Sequence, residues 1–237
     1  MQSPIAGVGS LGRGRRHIHG YIDAPARADR GAQGRCREEL GISPESFDLI
    51  IDKPDPTYWV RWQLGKVTPR LVWRPEWDAL WEKYPISSET RYIGAHVQTE
   101  TNYATWRNWP TEHWEKLFLL LKERGEKILL FGFAKEPRFD HPNIIDLRGE
   151  TPLFDLLSII KNRCHTLLVP DSGISSMTYF LDASFPIKII SLWGNPDMGI
   201  LKQDVDSPNP LLKHVPLIGP RGNIAAITPE KVFGNTK

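Results

Sequence analysis

A short polar turn at residues 171–176 has the residue types and the position of an anion-binding site. The apolar residues 167–169 before it predict a strand that stops at Pro170, and residues 177–181 after it predict a helix. A strand that ends in small polar residues at the start of a helix presents free backbone N–H groups, which suits a phosphate or a diphosphate. Gly173 allows the backbone to approach such a ligand closely. The alternative is an ordinary helix N-cap, and the turn alone does not distinguish the two.

Three further polar loops follow predicted strands, at residues 98–110, 132–136 and 194–197. They supply Arg107 as a candidate site residue. A guanidinium that faces a glycine turn suits a diphosphate. They also supply Glu136, a carboxylate one strand away that suits the two hydroxyl groups of a ribose. No set of His, Cys, Asp or Glu residues has the spacing of metal ligands, so we expect no metal site.

Strands and helices alternate regularly from residue 91 onward, which predicts an α/β fold. Helices that connect parallel strands cover both faces of the sheet, and ligands of such sheets bind beyond the carboxyl ends of the strands. We therefore expect the four polar loops to meet at one edge of a Rossmann-like parallel sheet. The predicted strands are residues 92–97, 127–133, 144–147, 166–169 and 187–192, and the predicted helices are residues 111–124 (with Gly125 as C-cap), 152–161, 177–181 and 229–232.

The overall composition is that of an ordinary globular protein. Apolar residues make up 40% and charged residues 24% of the 237 residues. The formal net charge of +2 argues neither for nor against a nucleic-acid partner, and we expect none. No apolar run approaches the ~20 residues of a membrane span, and the N-terminus lacks the apolar core of a secretory signal. Cys36 and Cys164 lie far apart, which is typical of a reducing compartment and predicts a cytoplasmic protein.

Residues 1–40 are rich in glycine and arginine and carry few large apolar side chains. Such a composition predicts a poorly ordered segment, because it cannot bury enough apolar surface to offset the entropy of ordering. A G-x-G-x-x-G pattern occurs at residues 7–12. A dinucleotide-binding loop is not favoured there, since only six residues precede the pattern and no helical apolar stripe follows it.

Residues 41–90 predict a partial N-terminal domain or a linker that is rich in tryptophan. A short strand is predicted at residues 47–52, and prolines follow it. Trp73, Trp77 and Trp81 are four residues apart and therefore predict one stripe on a helix. Aromatic residues at this density are typical of packing between domains or over the edge of a sheet, although sugar stacking and a membrane-facing groove are alternatives.

The loop that carries Arg107 resembles a signature of a known enzyme family. Residues 107–114 read R-N-W-P-T-E-H-W and resemble the basic-x-W-P-x-E-x-W pattern of bacterial heptosyltransferases, which are glycosyltransferases of family 9. Residues 171–176 resemble the D-[ST]-G-x-x-H element of that family, and residues 192–197 resemble its F-G-x-x-[DP] loop. The three motifs follow one another in the order and spacing of the family over residues 91–233.

The resemblance implies the fold and the activity of one half of these enzymes. It implies the C-terminal, donor-binding half of a GT-B fold at residues 91–237, preceded by a reduced or incomplete N-terminal part. Heptosyltransferases move a heptose from ADP-heptose to the lipopolysaccharide core and use protein cations and helix dipoles in place of a metal ion. We therefore expect a metal-independent glycosyltransferase without a cofactor. Its donor would be a nucleoside-diphosphate sugar, ADP-linked as in the family, and its acceptor a lipopolysaccharide or another glycan.

The resemblance also assigns the donor site residue by residue. Arg107 stands where the family usually has a lysine that holds the donor phosphates, and Glu136 matches an acidic position that contacts the ribose. Asp171 takes a donor-side position, whereas no residue is assigned as the catalytic base. The expected donor-binding residues are Thr99, Arg107, Glu136, Asp171, Ser172, Gly173, Ser175, Ser176 and Gly194.

Two departures from the family keep other functions open. Ser176 stands where the family usually has histidine, which removes a cation or donor near the sugar. No segment before residue 91 aligns with the family's catalytic carboxylate, and neither Asp48 nor Asp52 is assigned to that role. The alternative is a non-catalytic sugar-nucleotide-binding module or a truncated glycosyltransferase that lacks the acceptor domain. An oxidoreductase or epimerase of Rossmann type would need a G-x-G-x-x-G pattern after a strand and is less favoured.

The expected acceptor and the arginines of residues 1–40 bear on where the chain acts. A glycan acceptor of this family is linked to a lipid, so we expect a cytoplasmic protein at the inner face of the cytoplasmic membrane. Arginines near the N-terminus would favour contact with an anionic lipid surface. Peripheral association with that membrane is therefore a further expectation from the resemblance and the composition.

Overall fold

Six parallel strands form the central sheet, and two short parallel strands form a second one. The computed structural model describes residues 68–99 and 104–237, which belong to one unit of the chain, Leu64–Lys237. The short strand predicted at residues 47–52 and the poorly ordered segment predicted at residues 1–40 lie outside the described residues. The strands are β1 (Leu71–Val72), β2 (Tyr92–His96), β3 (Ile128–Phe131), β4 (Ile144–Asp146), β5 (Cys164–Pro170), β6 (Leu181–Asp182), β7 (Ile187–Trp193) and β8 (Leu212–Ile218).

The central sheet has the strand order β4-β3-β2-β5-β7-β8, and every neighbouring pair in it is parallel. Counted along the chain, this is the order 3-2-1-4-5-6 of a Rossmann sheet, so the predicted Rossmann-like parallel sheet is confirmed. The order reverses between β2 and β5. In open α/β sheets the connections leave in opposite directions at that point and open a crevice at the carboxyl ends of the two strands.

Successive side chains of the strands alternate between two hydrophobic cores, one on each face of the sheet. On β2, Ile93 and Ala95 pack with the first core, whereas Tyr92 packs with the second. On β3, Ile128 and Leu130 belong to the first core, whereas Leu129 and Phe131 belong to the second. This alternation has the period of a pleated strand and explains why both faces need helices to cover them.

Helices cover both faces and connect most of the strands. The first core contains the apolar face of the helix between β2 and β3, and the second contains that of the helix between β4 and β5. Gly125 follows the first of these helices with a φ of +81°, so it ends the helix as predicted. The helices are α1 (Thr111–Glu123), α2 (Leu153–Arg163), α3 (Gly173–Tyr179), α4 (Gly199–Gln203) and α5 (Pro229–Gly234), with 3-10 turns at Pro75–Lys83, Thr105–Arg107, Pro220–Gly222 and Ile224–Ala226.

Trp77 and Trp81 of the predicted stripe lie on a 3-10 helix, Pro75–Lys83, and not on an α-helix, and Trp73 precedes this helix. Trp77 stacks on Phe154 at 4.2 Å between ring centroids, and Trp81 lies under the guanidinium of Arg163. Both partners belong to α2, so the tryptophans cover the outer surface of a helix instead of a sheet edge. Contacts with α2, such as the bond from the Trp81 N–H to Ser158, fix the segment more strongly than its own helical propensity does.

Further elements depart from the sequence prediction. The helix predicted at residues 177–181 is α3, which begins at Gly173 because Ser172 caps it, and Leu181 instead pairs with β1. The strand β8 was not predicted, since Lys213 and Pro216 interrupt its apolar pattern. The five-residue helix α4 was not predicted either, because a helix this short leaves no periodic signal.

The loop between β3 and β4 is anchored by a buried arginine. Arg148 is 1% exposed and forms two parallel bonds to Asp146, at 2.9 and 2.7 Å. Its third bond runs to the carbonyl of Pro137 at 2.7 Å. Phe139, on the same loop, is buried against Phe118 of α1. These contacts fix the loop that carries Glu136.

His96, the last residue of β2, is buried without a hydrogen bond to its Nδ1 atom among the described residues. Burial disfavours the charged imidazolium and lowers the pKa of His96 to about 4. The ring is therefore neutral at physiological pH. It stands at the carboxyl end of β2, directly before the loop that leads to the switch point.

We expect Asp146→Ala to lower the free energy of unfolding by about 3 kcal/mol, because it leaves the buried Arg148 guanidinium without its counter-ion. This loss is at the low end of the range for breaking a buried ion pair, because the Asp146 side chain is itself about one third exposed. Urea unfolding measures the change. Glu150→Ala is the matched control, because it breaks the exposed pair with Lys135 and should cost less than about 1 kcal/mol. Equal effects of the two variants would show that Arg148 does not depend on Asp146.

We expect the chain to lose stability as the pH falls from about 6.5 to about 4, and His96 to contribute to that loss. The pKa of His96 is lower in the folded chain than in the unfolded chain, so the unfolded chain takes up the proton first as the pH falls. The free energy of unfolding therefore falls, by about 3 kcal/mol for a pKa shift from about 6.5 to about 4. Urea unfolding at pH 7 and pH 4 measures it. His96→Leu should flatten the pH dependence, and an unchanged slope would contradict the assignment.

Candidate functional site

The reversal of strand order brings two of the predicted loops together. β2 ends at His96 and leads into the loop that contains Arg107, whereas β5 ends at Pro170 and leads into the polar turn at Asp171. The Arg107 Nη1 atom lies 3.6 Å from the Asp171 Oδ2 atom and donates to the Asp171 carbonyl at 3.4 Å. The predicted cation and the predicted carboxylate therefore meet across the switch point.

The pair of Arg107 and Asp171 is largely shielded from solvent. The side chains are 18% and 9% exposed. Burial raises the pKa of Asp171 above its ordinary value, and the Arg107 guanidinium offsets part of that rise. A guanidinium held at such a site keeps much of its electrostatic strength, because the surroundings screen it less than water would.

Thr99 is held in place by Asn108. The backbone N–H of Thr99 donates to the Asn108 Oδ1 atom at 2.8 Å, and its hydroxyl is 3.0 Å from the same oxygen. Asn108 directly follows Arg107, so the two ends of this loop are tied together at the carboxyl end of β2. Asn108 was not among the predicted site residues, since it occupies a variable position of the family pattern.

The polar turn after β5 has features of both an ordinary helix N-cap and an anion-binding turn. Ser172 is the N-cap of α3, and its side chain accepts a bond from the Ser175 N–H at 3.3 Å. The Gly173 and Ile174 N–H groups, by contrast, have no partner among the described residues, and Gly173 is exposed. The capped helix start therefore still has two backbone donors without a partner in the described part of the chain. An ideal Cβ at Gly173 would meet only the Met177 Cε atom, at 3.8 Å.

The other two serines of the turn lie deeper in the protein. Ser175 is fully buried, and its Oγ has no hydrogen-bond partner among the described residues. Ser176 is half-buried in the first turn of α3, and its N–H bonds to the Ser172 carbonyl at 3.2 Å. Of the predicted hydroxyl donors, Ser172 and Ser176 lie closer to the surface than Ser175.

The remaining predicted residues flank the switch point on both sides. Glu136 lies beyond β3 and is 74% exposed, with its carboxylate 3.2 Å from the Arg138 Nε atom. Gly194 lies beyond β7, where an ideal Cβ would be 3.0 Å from the Gly222 carbonyl oxygen and 3.5 Å from the Trp106 ring. Gly194 is therefore needed for the close packing of the Gly222 and Trp106 segments at this edge of the sheet.

Sequence reasoning missed Gly199, which lies directly against the site. Its φ is +48°, and an ideal Cβ would be 2.7 Å from the Asp171 Oδ1 atom and 2.9 Å from the Trp193 ring. The absence of a side chain at Gly199 leaves room for the Asp171 carboxylate. No pattern in the sequence identifies this glycine, because the contact joins the start of α4, the turn after β5 and the end of β7.

A separate cavity of about 450 Å³ lies between α3, α4 and β8. Its described lining includes Tyr179, His214, Asp204 and Asp206 but no lysine or arginine. Burial lowers the pKa of His214 to about 4, so this ring is also neutral at physiological pH. Two carboxylates and a neutral imidazole do not suit a phosphate, and the switch point remains the candidate anion site.

The described residues 68–99 and 104–237 also bear on metal binding, membrane insertion and thiol chemistry. In this part of the chain, no group of three or more His, Cys, Asp or Glu residues is arranged to hold a metal ion. None of its helices is long and apolar enough to cross a membrane. Cys164 is buried as a free thiol, and burial raises its pKa to about 12. It therefore packs as an apolar residue and is not a nucleophile.

The fold is similar to those of two solved glycosyltransferase structures. ADP-heptose lps heptosyltransferase II from E. coli is 22% identical over 78% of this chain and 54% of that chain, with a TM-score of 0.53. A glycosyl transferase of family 9 from Veillonella parvula is 15% identical over 75% of this chain and 56% of that one, with a TM-score of 0.52. No protein-family profile and no curated protein sequence matches this chain.

These comparisons concern the fold. The chain spans about half the length of the two solved structures that it matches. At this level of identity, the likeness shows that the Rossmann-like sheet with its α/β connections is shared with glycosyltransferases of the GT-B type. The expected fold class is thus confirmed on grounds that are independent of the three sequence motifs.

Proposed function

We propose that this chain binds a nucleoside-diphosphate sugar at the switch point between β2 and β5 and transfers the sugar to a glycan acceptor. The observation that carries the proposal is the meeting of Arg107 with Asp171 and with the exposed start of α3. A guanidinium beside free backbone N–H groups is suited to a diphosphate. The fold shared with heptosyltransferase II supports the same class of activity.

The donor would lie along the carboxyl edge of the sheet. Arg107 and the first N–H groups of α3 would bind the diphosphate above β2 and β5. Glu136, beyond β3, would accept hydrogen bonds from the ribose hydroxyl groups after its carboxylate turns from Arg138. The sugar would then extend in the opposite direction, toward the loop at Gly194 beyond β7.

Transfer breaks the bond between the anomeric carbon and the diphosphate oxygen and forms a bond from that carbon to an acceptor hydroxyl oxygen. The leaving diphosphate gains negative charge, which Arg107 and the α3 amides would stabilise more strongly in the transition state than in the ground state. The acceptor hydroxyl loses its proton to a base, and we assign no described residue to that role.

The family resemblance supports the finer parts of the proposal. We propose an ADP-linked donor, and the solved E. coli enzyme is described as an ADP-heptose lps heptosyltransferase. A lipid-linked glycan acceptor, a cytoplasmic site of action and peripheral membrane association are proposed on the same basis. No cofactor is required by this chemistry, because the diphosphate is a good leaving group when protein cations bind it.

We expect Arg107→Ala to weaken the binding of one nucleoside diphosphate by about 100-fold, because a hydrogen-bonded charge at a shielded site is removed. Calorimetric titration with ADP, UDP and GDP measures the affinity and identifies the base. Arg107→Lys should retain binding within about tenfold, since the family usually has lysine at this position. Lys122→Ala, an exposed charge at the far end of α1, is the matched control.

The outcomes separate the proposed enzyme from its alternatives. If no nucleotide binds to the folded wild-type chain, the donor-site proposal is wrong. If a nucleotide binds but mass spectrometry finds neither free sugar nor glycosylated acceptor after incubation with ADP- and UDP-sugars, the chain is a non-catalytic binding module. If Lys122→Ala weakens binding as much as Arg107→Ala, the effect is one of overall charge and not of the site.

We expect Gly173→Ala to leave the fold unchanged but to weaken nucleotide binding by about tenfold or more. The added methyl group meets only Met177 in the protein, whereas it would stand where a diphosphate approaches the start of α3. Thermal unfolding should be unchanged or shifted slightly upward, because alanine favours a helix more than glycine does. Gly234→Ala in α5, where no atom lies within 4 Å of the new Cβ, is the control. Unchanged affinity would show that the turn is only an N-cap.

A further inference from the structure

Most of the cations described at the carboxyl edge of the sheet are already paired with carboxylates. Three pairs share this feature: Arg107 with Asp171 at 3.6 Å, Lys135 with Glu150 at 2.6 Å, and Arg138 with Glu136 at 3.2 Å. Each pair is close to electrically neutral as a unit. A diphosphate carries several negative charges, so the Arg107 pair by itself does not balance it.

Arg221 is a cation at the same edge that has no such carboxylate. It lies in the turn that follows β8, and its side chain is exposed. Among the described residues, none forms an ion pair or a hydrogen bond with its guanidinium. Its charge is therefore available to a ligand that approaches the carboxyl edge.

The turn that carries Arg221 has a fixed backbone. The Gly219 N–H donates to the Trp193 carbonyl at 2.8 Å, which ties the turn to the end of β7. An ideal Cβ at Gly219 would be 1.9 Å from the Asn223 carbonyl oxygen, so only glycine permits this closure. Arg221 itself has φ and ψ angles of 54° and 31°, a left-handed conformation that favours glycine. Arg221 therefore occupies a backbone position at which glycine would be favoured.

Gly194 brings the same turn close to the segment that holds Arg107. Gly194 lies between the two, with the Gly222 carbonyl oxygen 3.0 Å and the Trp106 ring 3.5 Å from the position of its ideal Cβ. Trp106 directly precedes Arg107 in the chain. The turn after β8 therefore folds back toward the switch point, although β8 is two strands away from β5 in the sheet.

We propose that Arg221 binds the β-phosphate of the donor and supplies the positive charge that the neutral Arg107–Asp171 pair lacks. This inference rests on the proposed function. Glu136 beyond β3 and Arg221 beyond β8 lie on opposite sides of the switch point, so the nucleoside end of the donor faces Glu136 and the sugar end faces Arg221. In this orientation, the phosphate nearer to the sugar is the one on the side of Arg221.

The substitution Arg221→Gly tests this role without a cost to folding. Glycine suits the left-handed backbone, so thermal unfolding should be unchanged or shifted upward. Calorimetric titration at low salt should show the affinity for ADP lowered about three- to tenfold, because a charge-assisted contact at an exposed site is lost. The affinity for AMP, which lacks the β-phosphate, should change by less than about twofold. Arg221→Lys should retain most of the ADP affinity.

The controls separate this role from a general effect of charge and from failure of the donor site. Lys122→Ala removes one positive charge far from the edge and should leave the affinities for both nucleotides unchanged. Wild-type affinity of Arg221→Gly for ADP, with affinity lost in Arg107→Ala, would overturn the role of Arg221 and leave the donor site intact. Equal losses for ADP and AMP would also overturn it. Absence of ADP binding by the wild-type chain would overturn the proposed function itself, and this inference with it.

Discussion

The contact of Arg107 with Asp171 joins the two halves of the sheet at the point where its strand order reverses. Strands β2 and β5 are neighbours there, yet their connections leave in opposite directions, so the loops beyond them diverge unless side chains tie them together. The arginine does so with one bond to the Asp171 carbonyl and one charge contact to its carboxylate. The position of the α3 start relative to the loop after β2 depends on this pair, and so does the shape of the crevice between them.

The electrostatics of the Arg107–Asp171 pair suit an anion-binding site without a bound ligand. Burial alone would favour a protonated Asp171, and the guanidinium partly restores its charge. Without a ligand, the carboxylate satisfies a buried cation that would otherwise be costly to desolvate. Under the proposed function, a diphosphate that enters the crevice would compete with Asp171 for the same guanidinium. Gly199 gives the carboxylate its space, because any larger residue would occupy the position 2.7 Å from the Asp171 Oδ1 atom.

Periodic patterns in the sequence were sufficient to predict the parallel sheet, because buried strands such as β3, β5 and β7 are continuous apolar runs between turn residues. The meeting of Arg107 with Asp171 followed from the rule that carboxyl ends of parallel strands share an edge. Gly199 and Arg221 were not predicted, since their importance depends on contacts between distant residues and on backbone angles that leave no periodic signal. The 3-10 geometry at Trp77 was missed for the same reason, because contacts with α2 override its local propensity.

The two ends of the crevice are held by different contacts. Beyond β3, the Arg148–Asp146 pair and the bond to the Pro137 carbonyl hold the loop of Glu136. Beyond β7 and β8, the bond from Gly219 to the end of β7 holds the turn of Arg221. In the proposed orientation of the donor, a change at the sugar end therefore need not disturb the nucleoside end. Ser176, where the resembling family usually has histidine, lies in the first turn of α3, beyond β5. In the proposed orientation of the donor, this departure would bear on the choice of sugar and would leave the contacts of the nucleoside end unchanged.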